Sequence, residues 1–575
     1  MRIPGKQLIV CVVTGLCVSA LWAAPLRPAH APHAMVASVH ELASQVGVDI
    51  MRAGGNAVDA AVATGFALAV VHPQAGNLGG SGFMLIRMAD GTRHFLDYRE
   101  KAPAAATENM YLDAQGNVIE NMSLVGYKAI GVPGSVAGLT YAQKKYGKLP
   151  LAQVMAPAIK FARQGFALSW DDAEDLKDKD LAKFPESRRI FQNSGNLFQP
   201  GDVLKQPDLA RTLERIARNP DDFYRGDLAR EIAASVQKGG GLITAADLAQ
   251  YEVKERQPIV GTYRGYEVIS APPPSSGGVA LVEILNILEG FDLAKGGNRS
   301  AESIHLIAEA FRRAMFDRAE FMGDPDFAKI PVAQLIDKRY ATAWRDSIEP
   351  SRASGKDLKR PGVFHELDSY AAAHPMRGPI LDPPHTTHYS VVDADGSAVA
   401  VTTTLNDSLG SRVTVEGLGF LLNDEMDDFA SKQGVPNVYG LIQGPANAIG
   451  PGKRPLSAMT PTIILKDGKL FLVLGAEGGP TIITNVANIL LSVVEDGLDI
   501  QEAVNAPRFH HQWLPDELKL EDRISPDTAR LLEAKGHKIT REHFWGDAEC
   551  IMIDPKTGER LGAADGRNNG KALGF

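Results

Sequence analysis

Asp382-Pro383-Pro384-His385-Thr386-Thr387-His388-Tyr389-Ser390-Val391-Val392 joins two kinds of chain. The prolines hold the upstream part extended and non-helical, whereas Tyr389 to Val392 form an aromatic and β-branched run of the kind that makes strands. Scission before Thr386 would free an α-amine of pKa about 8 on the residue that also carries a hydroxyl nucleophile. A weak alcohol would then be activated by its own backbone amine. Taken alone, a Thr pair is also an ordinary way to open a half-buried strand, so the surroundings decide. Asp395-Gly396 is a hairpin signal, and Ser397 to Asn406, SAVAVTTTLN, reads as a strand returning beside the first. That pairing brings Thr404 and Asn406 toward Thr386.

The same grammar organises the rest of the chain. Residues 40–53 make an amphipathic helix ending at Gly54-Gly55, and Asn56 caps a second helix over 57–71 that is apolar nearly all round. Asp59 and its short length make that helix a buried one rather than a membrane span. Hairpins are expected around Asp90-Gly91 and Asp467-Gly468, and between 550–553 and 560–563. Residues 149–340 read as mostly helical. The stretch 351–385, rich in Pro, Gly, Ala and charge, reads as a long mobile connection suited to a segment released by cleavage. Antiparallel sheets covered by helices, an α+β architecture, follow.

The 575 residues, 44% of them hydrophobic, suffice for a large core in one domain or two. With 60 Lys+Arg against 69 Asp+Glu the formal charge is −9, which argues against a nucleic-acid partner. Arg2 and Lys6 precede an apolar run over 8–24, followed by Pro- and His-rich sequence, as in an export signal. Cleavage near Ala23, Ala24 or Ala31 leaves a signal of about residues 1–24, a periplasmic or secreted protein and no stable membrane insertion. Cys11 and Cys17 lie in that segment, so Cys550 is alone in the mature chain and no internal disulfide is expected. No spaced Cys/His set points to zinc, and His510-His511, facing opposite ways on a strand, reads as structural.

Further ordered motifs carry a resemblance. They are Gly76-Asn77-Leu78-Gly79-Gly80-Ser81-Gly82, Asp97-Tyr98-Arg99-Glu100-Lys101-Ala102-Pro103, Pro272 to Gly278 (PPPSSGG), Leu422 to Phe429 (LNDEMDDF), Arg454 to Pro461 (RPLSAMTP), Gly475-Ala476-Glu477-Gly478-Gly479 and Asn505 to His511 (NAPRFHH). Together the chain resembles the γ-glutamyltranspeptidases (glutathione hydrolases) of the N-terminal nucleophile hydrolase superfamily over nearly its whole mature length. The resemblance implies a four-layer αββα sandwich and autocleavage before Thr386. A large subunit (25–385) and a small one (386–575) would then form an interwoven heterodimer, with no cofactor and no metal. It implies that Thr386 is the nucleophile, that Thr404 hydrogen-bonds it, and that Gly478 and Gly479 present N–H groups to the oxyanion. Arg99 and Ser457 would hold the α-carboxylate of a γ-glutamyl donor, Asn406, Glu425 and Asp428 its α-ammonium, and Tyr439 in the lid 436–441 would cover it. The implied substrates are glutathione and other γ-glutamyl compounds, with water, amino acids or peptides as acceptors.

Three positions depart from the common bacterial pattern: Ala458 in place of a second serine, Glu477 in place of proline, and Pro480 in place of a small polar residue. Loss of one hydroxyl weakens a carboxylate contact by about 1 kcal/mol. A glutaryl (cephalosporin) acylase is the alternative enzyme, disfavoured by the lid and by Asp428, since a glutaryl group has no ammonium. An unprocessed peptide-binding homologue is the alternative outside enzymes. A Ser-His-Asp hydrolase lacks its G-x-S-x-G elbow near the serine-rich motifs, and Ser81, Ser275 and Ser276 read as turn or packing residues.

Overall fold

The structure, a computed structural model, describes residues 27–365, 367, 386–432, 437, 441 and 443–575. The expected export signal, most of the connection ending at His385, and Tyr439 lie outside the described residues. None of the helices described is long and apolar enough to cross a membrane.

Two seven-stranded sheets form the centre. In the first, the order is Lys571–Gly574, Met35–Ser38, Thr386–Val392, Ala398–Thr404, Ser81–Arg87, Arg93–Asp97, Lys254–Arg256, every pair antiparallel. The second runs Ala29–Ala31, Arg560–Ala563, Cys550–Ile553, Lys469–Leu474, Thr462–Lys466, Tyr266–Ser270, Ile259–Tyr263. Helices Glu41–Arg52 and Ala57–Val71 cover the outer face of the first sheet, and Gly277–Leu288 and Thr481–Val494 lie over the second. This is the four-layer αββα sandwich. Ala57–Val71 is buried along its whole length, and Asn56 and Asp59 close its N-terminus in a reciprocal capping box, worth about 1 kcal/mol.

Period-two alternation aims the strand Thr386–Val392. Tyr389 and Val391 join the core under the outer helices, while Val392 joins the core between the sheets. Thr386, His388 and Ser390 share the face toward the second sheet. There His388 Nδ1 lies 2.9 Å from Thr402 Oγ1, its Nε2 lies 3.1 Å from Ser390 Oγ, and Ser390 donates to the Glu549 carbonyl at 2.8 Å. Burial pushes the His388 pKa down to about 3, so the imidazole is neutral. Gly475 makes room for this ring: a Cβ there would lie 2.2 Å from His388 Nδ1 and Cε1. Gly475→Ala is therefore expected to destabilise the fold by about 1–3 kcal/mol, seen as a lower urea midpoint. An unchanged midpoint would show that the inter-sheet packing yields.

The expected hairpins all form. The helical reading of 149–340 needs correction at 254–270, where three strands extend both sheets. The connection after 351 is also less free than expected at its start. Arg360 pairs with Asp317 at 2.9 Å and stacks on Phe316 and Phe321, and Ser354 N–H donates to Glu309. His510 and His511 are both buried with separate partners, Thr484 and Gln512 for the first and Trp513 N–H for the second, as structural residues should be.

Candidate active site

The strand register sets the centre of the site. Thr386 pairs directly with Thr404, and their hydroxyl oxygens are 3.2 Å apart. Thr404 Oγ1 also accepts the Asn406 N–H at 2.8 Å, which fixes its hydroxyl beside Thr386. Asn77 buttresses the pair, donating to the Thr404 carbonyl at 2.9 Å while its Oδ1 accepts from Gly80 N–H and Ser135. A Cβ on Gly80 would sit 2.1 Å from that same carbonyl, which is why the Gly76 to Gly82 motif needs glycine there.

Charged groups form one wall. Arg99 follows the strand Arg93–Asp97 and is fully buried. Its guanidinium donates to the Pro455 and Leu456 carbonyls, both at 3.2 Å, and pairs with Glu425 and Asp428, with Glu100 at 3.7 Å. Asp97 accepts the Arg99 N–H at 3.0 Å and is itself held by Arg256 and Arg454. Burial opposes the Arg99 charge, but Glu425, Asp428 and Glu100 outweigh it and raise the pKa, so Arg99 stays cationic. The acids compete for that single cation. Burial pushes Glu100 up to about 7 and Glu425 well above the usual carboxylate range, each only partly offset by Arg99. Glu425 Oε2 and Glu100 Oε1 are buried with no hydrogen-bond partner. Three acids thus share one guanidinium in this wall.

Arg318 supplies the opposite need. It lies on the helix Ala301–Phe321, is 3% exposed and lines the same pocket. Its Nε donates to Ser276 Oγ at 2.8 Å, and Ser276 in turn donates to the Ser457 carbonyl at 2.7 Å. Its Nη1 is buried without a partner. Burial pushes its pKa down to about 10, with Asp428 acting against the shift, so it is still charged at neutral pH.

The remaining wall is the loop before the helix Thr481–Val494. Gly478 and Gly479 have φ of +119° and +52°, a left-handed backbone that glycine adopts without strain. Among the described residues neither N–H has an acceptor, and the loop sits at the positive end of the helix. Gly479 lines the pocket with Thr386, whereas Gly478 faces an adjoining cavity.

Arg99, Thr386, Thr404, Asn406, Glu425, Asp428, Ser457 and Gly479 thus converge on one pocket, as the sequence reading expects. Of the lid, Leu441 lines this pocket and Asn437 Nδ2 lies 3.4 Å from Asp428 Oδ1. Sequence reasoning missed Arg318, Glu100 and Asn77. A separate trio, His305, Glu309 and His537, lies close enough to hold a metal. Glu309 there already faces Arg312 at 3.3 Å and Arg313 at 2.7 Å, a charge balance that opposes a further cation.

A threonine that opens a central strand of an αββα sandwich, with a second threonine hydroxyl 3.2 Å from its own, is the arrangement of the N-terminal nucleophile hydrolases. The Gamma-glutamyltranspeptidase family model matches residues 43–575, and the chain belongs to that family. It is 50% identical over 579 residues to the glutathione hydrolase proenzyme of Escherichia coli (strain K12), covering 98% of this chain and 97% of the relative. Among solved structures, the cephalosporin acylase from Bacillus halodurans superposes with a TM-score of 0.81 at 28% identity, covering 98% of this chain and 99% of the other. A Helicobacter pylori gamma-glutamyltranspeptidase chain matches at 49% identity with a TM-score of 0.56, covering 57% of this chain and 95% of that one.

Proposed function

We propose that the chain is the precursor of an exported γ-glutamyltransferase and glutathione hydrolase that cuts itself before Thr386. Residues 25–385 become the large subunit and 386–575 the small one. Both contribute strands to each sheet, so the products stay interwoven as a heterodimer. The Helicobacter pylori chain supports this division, since nearly all of it corresponds to little more than half of this chain.

The observation that carries the activity is the pairing of charges around Thr386. A γ-glutamyl head is a zwitterion. Its α-ammonium suits the surplus of carboxylate at Glu425 and Asp428, with Asn406 beside them, and its α-carboxylate suits Arg99, Arg318 and the Ser457 hydroxyl. The lid, Tyr439 included, would close over it. Held by that head, the donor presents its γ-carbonyl to Thr386 Oγ. The α-amine freed by cleavage takes the hydroxyl proton, Thr404 steadies the oxygen, and the N–H groups of Gly478 and Gly479 receive the developing oxyanion. Cysteinylglycine leaves glutathione carrying that proton. Water or an amine then resolves the γ-glutamyl ester, giving ping-pong kinetics.

The Bacillus halodurans likeness keeps an acylase as the second reading. A glutaryl donor lacks the ammonium and would leave the carboxylate surplus unmatched. The test is competition between glutathione and a glutaryl amide. Release of glutamate from glutathione, with at least about hundredfold higher kcat/KM than for the glutaryl amide, is expected; faster glutaryl cleavage would make the chain an acylase.

A further inference from the structure

Across the Gly478-Gly479-Pro480 loop lies a second cavity of about 620 Å³, which shares Pro480 with the Thr386 pocket. That volume suits a small organic ligand. Its walls are acidic beyond what their own bases neutralise. Arg567 is held by Glu521 and Asp565 at 2.8 and 2.9 Å, and Lys519 is held by Glu542 at 2.7 Å. Four other carboxylates in the walls, Asp171, Asp175, Glu477 and Asp547, have no ion pair among the described residues, and Asp171 accepts from the Asn569 amide. Asp175 accepts only from the Gln74 amide at 2.9 Å, and Asp547 accepts from Asn568. Glu477, 9% exposed, has neither hydrogen bond nor ion pair for its carboxylate among the described residues, and it faces the cavity. At the rim stand two exposed aromatic rings, Trp170 and Phe544, 64% and 48% exposed.

We infer that this cavity is the acceptor subsite, and that it favours amine acceptors bearing a second cationic group, such as basic amino acids and diamines. The inference rests on the γ-glutamyl reading of the Thr386 pocket and goes further, because it assigns the side of the loop that the donor head does not occupy. With the head at Arg99 and the carbonyl at Thr386 and Gly479, whatever attacks the ester approaches past Gly478 and Pro480. The acceptor amine enters neutral. Its N–C bond forms as the Thr386 Oγ–C bond breaks, and its proton passes through the Thr386 α-amine to Oγ. The second charge then rests among Glu477, Asp175 and Asp547, with the methylene stem against the aromatic rim. Burial pushes Asp175 and Asp547 up to about 7, with Glu477 moved in the same direction, and a bound cation would relieve that cost.

L-Lysine and L-norleucine differ by one ammonium group and form the test pair, with glutathione as fixed donor. The readout is the ratio of their kcat/KM values for γ-glutamyl transfer, which does not depend on absolute activity. A ratio of about ten or more in favour of lysine is expected, falling severalfold in both Glu477→Gln and Asp175→Asn. Asp175 lies on the helix Trp170–Asp175, outside the loop, so its variant reads the same ratio if Glu477→Gln folds poorly. A ratio near one, transfer to neither amine while hydrolysis proceeds, or a ratio untouched by both variants would overturn the subsite alone. Failure to cleave glutathione would instead overturn the proposed function beneath it.

Discussion

Thr386→Ala is expected to purify as one uncut chain and to lose at least about 10⁴-fold in turnover of a γ-glutamyl amide. Both losses have one cause. The hydroxyl is the only nucleophile that the strand register sets against Thr404, 3.2 Å away, and it serves first on its own peptide bond and then on the donor. The neighbouring Thr387 cannot substitute, because alternation along the strand turns it to the other face. The backbone of the strand is unaffected by alanine, so the variant should keep the wild-type circular dichroism and urea midpoint within about 0.5 kcal/mol. Two chains from this variant, or residual turnover within tenfold of wild type, would place the nucleophile elsewhere.

Arg99→Ala should damage stability and activity together. It would strand Glu425, Asp428 and Glu100 in a buried site without the guanidinium they share. Breaking such an arrangement from one side costs about 3–5 kcal/mol, which urea denaturation would register. Arg99→Lys separates the two roles. It keeps the charge that the acids need but not the planar fork that reaches both the Pro455 and Leu456 carbonyls and the carboxylates. Its stability should lie much nearer wild type, while kcat/KM for glutathione falls by about 10²-fold. Wild-type stability for Arg99→Ala would mean that the acids sit protonated and need no partner. An unchanged kcat/KM for Arg99→Lys would remove Arg99 from donor recognition.

What the sequence conveyed depended on how local each signal was. Pro383-Pro384 before a β-branched run, and Asp395-Gly396 after it, bring Thr404 near Thr386 without tertiary information, whereas the direct pairing of the two is set by the loop between Asp393 and Ser397, one residue longer than a two-residue turn. The hairpin 259–270 escaped notice because its turn is Arg264-Gly265, with Arg264 at φ +51°, rather than one of the usual Asn-Gly or Asp-Gly pairs. Arg318 was illegible for a different reason. It lies in a helix crowded with Arg, Asp and Glu, and only packing distinguishes the arginine facing the pocket from Arg312 and Arg313, which serve Glu309. Glu100 stood beside Arg99 in plain view, yet no spacing rule says which acids share one buried cation. Gly478 and Gly479 are adjacent in sequence, yet Gly479 lines the pocket with Thr386 and Gly478 lines the cavity beside it.

Intact mass with N-terminal sequencing of freshly purified, incubated protein tests the central claim most directly. Two chains, the smaller beginning Thr-Thr-His-Tyr, are the expected result, since only a free Thr386 amine can activate its own hydroxyl. A single chain that nevertheless hydrolyses glutathione, or a cut at any other bond, would contradict it.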